Sequence, residues 1–196
     1  MAQAVLTWAL EMSHASPIAE DRPPRALRGY TLLPRYYDRV TKAWTAQIIA
    51  GQLYVSGADE QITTVLGSCV AVCMRDPRAG LGGMNHFLLP GEDPERHGDE
   101  LRYGRHAIEH LIAELEKNGG QRQRFETQLF GGGRVIGGTG AIDIGAANIE
   151  FARRFLKQQR LAVSNESLGG GYSRRVRFHP LTGEAHVKLL GMGANR

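Results

Sequence analysis

Apolar and polar positions alternate in short runs along most of the chain and give way to a helical period in two places. TAQIIAGQLYVSG reads as strand, turn, strand, and ITTVLGSCVAVCMRD continues with β-branched and small uncharged residues. RHAIEHLIAELEKNGG sets Ile108, Leu111, Ile112 and Leu115 on one helical face, with Gly119 and Gly120 as the stop. GAANIEFARRFLKQQRLA repeats the period with Ile149, Phe151, Ala152 and Phe155. Between the helices, ETQLFGGGRVIGG reads as a strand running into glycine-rich turns. LAVSNES, RRVRFHP and EAHVKLL close the chain as strands, the last two joined through the turn HPLTGE. At least six strands around two helices, in an order dominated by hairpins, predict a layered α+β domain rather than a doubly wound parallel sheet.

Two stretches fall outside these patterns. Residues 1–37, with SPIAEDRPPRALRGYTLLPRYYD, are rich in Pro and charge and predict a weakly ordered extension docked through Tyr36 and Tyr37, which leaves 38–196 as the folded domain. GEDPERHGDELRYG reads as a polar loop ahead of the first helix.

Composition narrows the setting. A chain of 196 residues buries a real core without disulfides or metals, and no apolar run approaches the roughly 18 residues of a membrane span. The N-terminus lacks a basic segment before its short apolar run and meets Glu11 early, which is not the pattern of a secretory signal, so a cytoplasmic location is expected. The two cysteines, Cys69 and Cys73, lie four apart, which suits free thiols in a reducing compartment. A net charge of +4 is mildly basic, compatible with contact to an acidic protein surface or to nucleic acid, and decides nothing alone.

Candidate chemistry concentrates in LGSCVAVCMRDPRAGLGGMNHFLLP. The turn residues from Asp76 to Gly80 predict a hairpin, and symmetry about the Pro77–Arg78 bond makes Cys69 and His86 cross-strand neighbours. Opposed residues have Cβ atoms about 5 Å apart, within reach of a thiol–imidazole contact, and an adjacent imidazole lowers a thiol pKa. Gly82 and Gly83 would permit a bulge that shifts this register. Cys73 has the same parity, but four strand residues separate it from Cys69 by roughly 13 Å, so it reads as a core thiol. Gly67 and Ser68 allow close backbone approach and an oxyanion site beside Cys69, with Asn85 as a further candidate. Either Thr63 or Thr64, just upstream, is placed to orient the imidazole or bind a substrate carbonyl. The residues alone leave open that Cys69 is a packed thiol and His86 a satisfied core histidine.

Other constellations are weaker. His106 and His110 share a helical face but HAIEH lacks the metalloprotease order and a third ligand. GGGRVIGGTG lacks the Lys and Ser or Thr of a phosphate-binding loop. GGGYSRRVRFHP mixes basic and aromatic residues without any nucleic-acid module, and reads as a strand edge with solvated arginines that could contact acidic helices.

The run TTVLGSCVAVCMRDP followed by GGMNHFLLP resembles the hallmark of the chemoreceptor glutamine deamidases, the CheD family of bacterial chemotaxis. The resemblance continues through RYGRHAIEHLIAEL, LFGGG, IGAANIEFARRFL and LGGGYSRRVRFHPLTGEAHVK, about residues 40 to 190, and RYYDR looks like the longer proteobacterial members. It implies Cys69 as nucleophile, His86 as general base and acid, and Thr63 as the third active-site residue. The implied fold is a three-layer α/β/β sandwich similar to the catalytic domain of the cytotoxic necrotizing factor toxins. The implied activity is hydrolysis of receptor glutamines to glutamate through a cysteine thioester, with a glutamyl methylesterase side activity and neither metal nor cofactor. The implied partners are the cytoplasmic domains of chemotaxis receptors and a phosphatase of the CheC family, with no nucleic acid and no membrane insertion. A module that binds receptors or that phosphatase without catalysis is the alternative. Two positions depart from the family pattern: Ser167 in ESLGG stands where an acidic residue is usual, and FGGG replaces FGGA.

Overall fold

The computed structural model describes residues 22–30, 33–91, 100–134 and 143–191. The first 21 residues of the expected extension, most of the loop before the first helix and the glycine-rich turns past Arg134 lie outside them.

Ten strands and two helices appear among the described residues: β1 Arg35–Asp38, β2 Ala43–Gln47, β3 Gln52–Ser56, β4 Gln61–Leu66, β5 Val70–Asp76, β6 Leu81–His86, α1 Gly104–Lys117, β7 Glu126–Gly131, α2 Ile144–Gln158, β8 Val163–Leu168, β9 Ser173–Phe178 and β10 Ala185–Leu190. They form two five-stranded sheets, ordered β1-β2-β4-β9-β10 and β3-β6-β5-β7-β8. The second sheet is buried on both faces. Val70, Val72 and Met74 of β5 pack with Leu53, Leu129 and the apolar stripes of α1 and α2. Ala71 and Cys73 point the other way, into a second core with Tyr54, Met84, Phe130 and residues Ile62, Leu66, Val176 and Phe178 of the first sheet. The layers are therefore helices, sheet, sheet, in a mixed α+β fold. The double-sided burial explains why β5 reads as a nearly continuous apolar run.

The helices form where the period places them. In α1, Ile108, Leu111, Ile112 and Leu115 are buried, and the chain stops at Gly119, whose φ of +97° is open to glycine. The α2 N-terminus is capped by the Asp143 side chain, which accepts from the Ala146 amide at 3.0 Å. β7, α2 and β8 make a parallel crossover.

Three expectations are corrected. The β5–β6 register is displaced by two residues: Asp76 pairs Leu81 and Cys73 pairs Met84, so a four-residue turn joins the strands. The cause is Asp76, whose buried carboxylate accepts from the amides of Arg78 and Ala79 across the turn and from Gln121 and Arg124 beyond it. Burial works against its charge, but the Arg124 guanidinium and these amides outweigh it and hold the carboxyl at about 2. Second, TAQIIAGQLYVSG forms the expected strand, turn and strand, but hairpins do not dominate the order: β2 and β3 belong to different sheets, as do β4 and β5.

The third correction concerns the expected boundary at residue 38. β1 pairs with β2, and Tyr30 packs edge-on against Tyr54 with centroids 5.1 Å apart, reaching both cores. Arg35 meets the fully buried Glu60 at 3.2 Å, and that carboxylate also accepts from Tyr54 and Ser56. Tyr37 packs on Trp44, whereas Tyr36 is 43 % exposed, and half-buried Tyr30 is an anchor that the expectation missed.

Candidate active site

A displacement of two residues preserves strand parity, so His86 and Cys69 still face the same layer. Cys69, partly buried, packs against the inter-sheet core together with Ala71 and Cys73, and His86 follows Met84 on that same face of β6. In the observed register His86 is diagonal to Cys69 instead of opposite it, because β5 and β6 remain paired at Val70 and Phe87.

From the other sheet, Thr64 is the hydroxyl that reaches His86. Ile62, Thr64 and Leu66 of β4 point into the inter-sheet layer, where Thr64 Oγ1 lies 2.8 Å from His86 Nδ1. Thr63 points to the outside of its sheet and donates to the Val176 carbonyl at 2.9 Å. The Thr64 hydroxyl donates its single proton to the Ile48 carbonyl at 2.9 Å, so toward His86 it acts as acceptor and the proton of that contact belongs to Nδ1. This fixes the neutral tautomer with a bare Nε2. His86 is 4 % exposed, and its Nε2 is buried without a hydrogen-bond partner among the described residues.

Burial governs the charge of both groups. It pushes the His86 imidazole down to about 4 and the Cys69 thiol above its ordinary value, the thiol's rise being opposed by its own backbone amide. A resting pair of neutral thiol and neutral imidazole replaces the imidazole-lowered thiol expected from spacing.

The backbone around Cys69 is held from two sides. Fully buried Asn148 of α2 donates to the Ser68 carbonyl at 3.0 Å and to the Leu88 carbonyl at 2.8 Å, tying the loop before the thiol to the strand that carries His86. From β7, the Gly132 and Gly133 amides donate to the carbonyls of Cys69 and Gly67, each at 2.7 Å. Gly131 has φ +117°, and any Cβ there would collide with the Cys69 carbonyl, so LFGGG is a close-approach surface and not merely a turn. Among the described residues the Ser68 and Cys69 amides have no hydrogen-bond acceptor outside Cys69 itself. Buried Arg174 of β9 reaches the carbonyls of Ser167 and Gly169 and the Ser167 hydroxyl, bracing the loop from Gly169 whose amide donates to the Gly131 carbonyl.

Of the expected site residues, Thr64 contacts His86 directly, and Cys69, preceded by Gly67 and Ser68, lies diagonal to His86 on the same face. Asn85 does not join them: its side chain accepts from the Val72 amide at 2.9 Å and fills a gap in the β5–β6 ladder. Asn148 was missed, although a polar residue on the Gly145–Ala152–Phe155 face of an otherwise apolar stripe marks it.

The fold and site together define an α+β protein holding a thiol and a tautomerically fixed imidazole in one buried layer, the equipment of nucleophilic acyl transfer. A family model described as CheD chemotactic sensory transduction matches residues 88–189. The chain is 44 % identical over 184 residues to a probable chemoreceptor glutamine deamidase CheD of Saccharophagus degradans, covering 90 % of this chain and 84 % of that one. It is 45 % identical over 174 residues to the protein of the same description from Halorhodospira halophila, covering 85 % and 80 %. The chain belongs to the CheD family.

Proposed function

We propose that this protein hydrolyses the side-chain carboxamide of glutamines in the cytoplasmic domains of chemotaxis receptors, giving glutamate and ammonia. The observation that carries this is the Thr64-fixed tautomer, which leaves a bare His86 Nε2 in the layer that Cys69 enters. Its relatives' description as probable chemoreceptor glutamine deamidases supplies the substrate.

Nε2 accepts the thiol proton as sulfur bonds to the amide carbon, and the carbonyl electron pair moves onto oxygen, where the Ser68 and Cys69 amides donate. Collapse of that oxyanion breaks the C–N bond, and the imidazolium returns its proton to the departing ammonia. A thioester remains. Water, deprotonated by Nε2, adds to the thioester carbon; the C–S bond then breaks, and the thiol regains the proton as glutamate leaves. A glutamyl methyl ester enters the same sequence with methanol as leaving group. The likeness of the fold to the catalytic domain of cytotoxic necrotizing factor toxins, the cytoplasmic setting and a CheC-family phosphatase as a partner that controls access to the thiol belong to this reading.

The test is mass spectrometry of receptor cytoplasmic fragments with ammonia release. Wild type and Cys73→Ala should convert glutamine to glutamate, and Cys69→Ala and His86→Ala should not, each with an intact fold by circular dichroism. A wild type that binds receptor fragments but leaves their mass unchanged would make the protein a binding module instead.

A further inference from the structure

The outer face of the β1-β2-β4-β9-β10 sheet is not packed under either helix, both of which lie on the other sheet. Along it, β9 presents Arg175 and Arg177, and β10 places Lys188 opposite Arg175 and His186 opposite Arg177. Directly opposed like charges destabilise a sheet. Glu184 lies 2.9 Å from His186, and Asp38 lines the same notch as Arg177. Arg175 and Lys188 have no such relief: both are exposed, and neither forms an ion pair with an acidic group among the described residues. Beside them Val65 of β4 is 45 % exposed, and a notch of about 100 Å³ opens between Gln47, Thr63 and the two arginines.

The position of this cluster bears on the proposed reaction. Val65 is followed within four residues by Cys69, and Arg175 follows the loop in which the Gly169 amide donates to the Gly131 carbonyl beside Cys69 and the Gly170 carbonyl accepts from the Arg134 amide. The Arg175–Lys188 end of the sheet and the thiol therefore lie at the same end of the sandwich.

We propose that this outer face, centred on Arg175, Lys188 and Val65, docks an acidic protein surface of the substrate receptor, outside the catalytic layer. It rests on the reading of the protein as a receptor glutamine deamidase. An occupant rich in carboxylates supplies the counter-charge that the chain itself does not, and Val65 adds an apolar contact at the centre. Such docking steers encounter and sets KM, and leaves the bond-making steps to Cys69 and His86.

The test compares wild type, Arg175→Glu with Lys188→Glu, and Arg154→Glu on the exposed side of α2 as a charge control. KM, kcat and the dissociation constant are measured on a receptor cytoplasmic fragment at low and high salt, with Cys69 alkylation by iodoacetamide and molar mass by light scattering. The double variant should raise KM and the dissociation constant about tenfold and lose most of their salt dependence. Its kcat and alkylation rate should stay within about twofold of wild type, and Arg154→Glu should match wild type. An unchanged KM and dissociation constant, or an equal loss in Arg154→Glu, would overturn the docking face. A variant that only loses self-association would assign the face to a second copy of the chain and overturn it too. If wild type binds the fragment without deamidating it, the enzyme reading falls, and the dissociation constants still decide the docking face.

Discussion

At Thr63 and Thr64 the alternation of one strand separates two hydroxyls of identical chemistry. Family resemblance points to Thr63, yet Thr64 is the one flanked by Ile62 and Leu66 on the apolar face, and that period-two pattern was already present in ITTVL. The two can be separated by kinetics. Thr64→Val, which keeps volume and removes the acceptor for Nδ1–H, should lower kcat on the order of 100-fold, Thr64→Ser should restore most of it, and Thr63→Val should leave kcat near wild type. The opposite ranking would return the role to Thr63. The ionisation of the same imidazole belongs to this scale. His86 is held near 4 by burial against an ordinary 6.5, so native protein stays unprotonated there while the unfolded chain takes up a proton. The associated stability is fully present above pH 6.5 and is lost as pH falls toward 4, on the order of 3 kcal/mol in all. Activity that needs a bare Nε2 should accordingly hold its kcat/KM through the usual histidine range and fall only near the acid end of that window. An acid limb centred at the ordinary histidine value would show that a solvated imidazole does the work. No sequence pattern could have announced this shift, since it follows from how completely two sheets close over one ring.

Among the elements, the two helices were legible, their starts to within a residue and the end of α2 to within four, because a period of 3.6 is a property of the segment itself. Strand partners were not. β4 pairs with β2 and with β9, more than a hundred residues away, and alternation names the faces of a strand without naming its neighbours. The hairpin register failed by two for a reason that is local and specific: Asp76 spends its carboxylate on the turn amides, which fixes four residues there where symmetry placed two. Asn148 shows the converse, an element whose task is to hold others. Its amide ties the Ser68 and Leu88 carbonyls, so Asn148→Ala leaves both buried carbonyls short of a donor and should cost about 1–3 kcal/mol in urea denaturation. The same variant should lower kcat more than it raises KM, because the thiol and the imidazole then move relative to each other. A variant as unstable as expected but with unchanged kcat would reduce Asn148 to a packing role.

For the whole molecule, the described part of the segment read as an extension, from Tyr30 and Arg35 onward, packs against the sandwich. Pro and charge dominate its composition, and composition registers neither the edge strand that Arg35–Asp38 adds to a sheet nor the single tyrosine that wedges between two cores. A chain shortened to begin at residue 38 should lose the Arg35–Glu60 pair, leave Glu60 buried without its cation, and forfeit about 3–5 kcal/mol. That is a large share of the stability of a domain this size. Thermal unfolding checks it against a chain beginning at residue 22, and equal midpoints would put the boundary back at 38. The same architecture also furnishes a built-in gauge of its own opening. Two thiols lie four residues apart, Cys69 just ahead of β5 and Cys73 within it, the first partly exposed and the second wholly enclosed between the sheets. A thiol reagent should therefore label the folded chain once, at Cys69, and reach Cys73 only when the sheets part, so that the second label arrives at the rate of global unfolding.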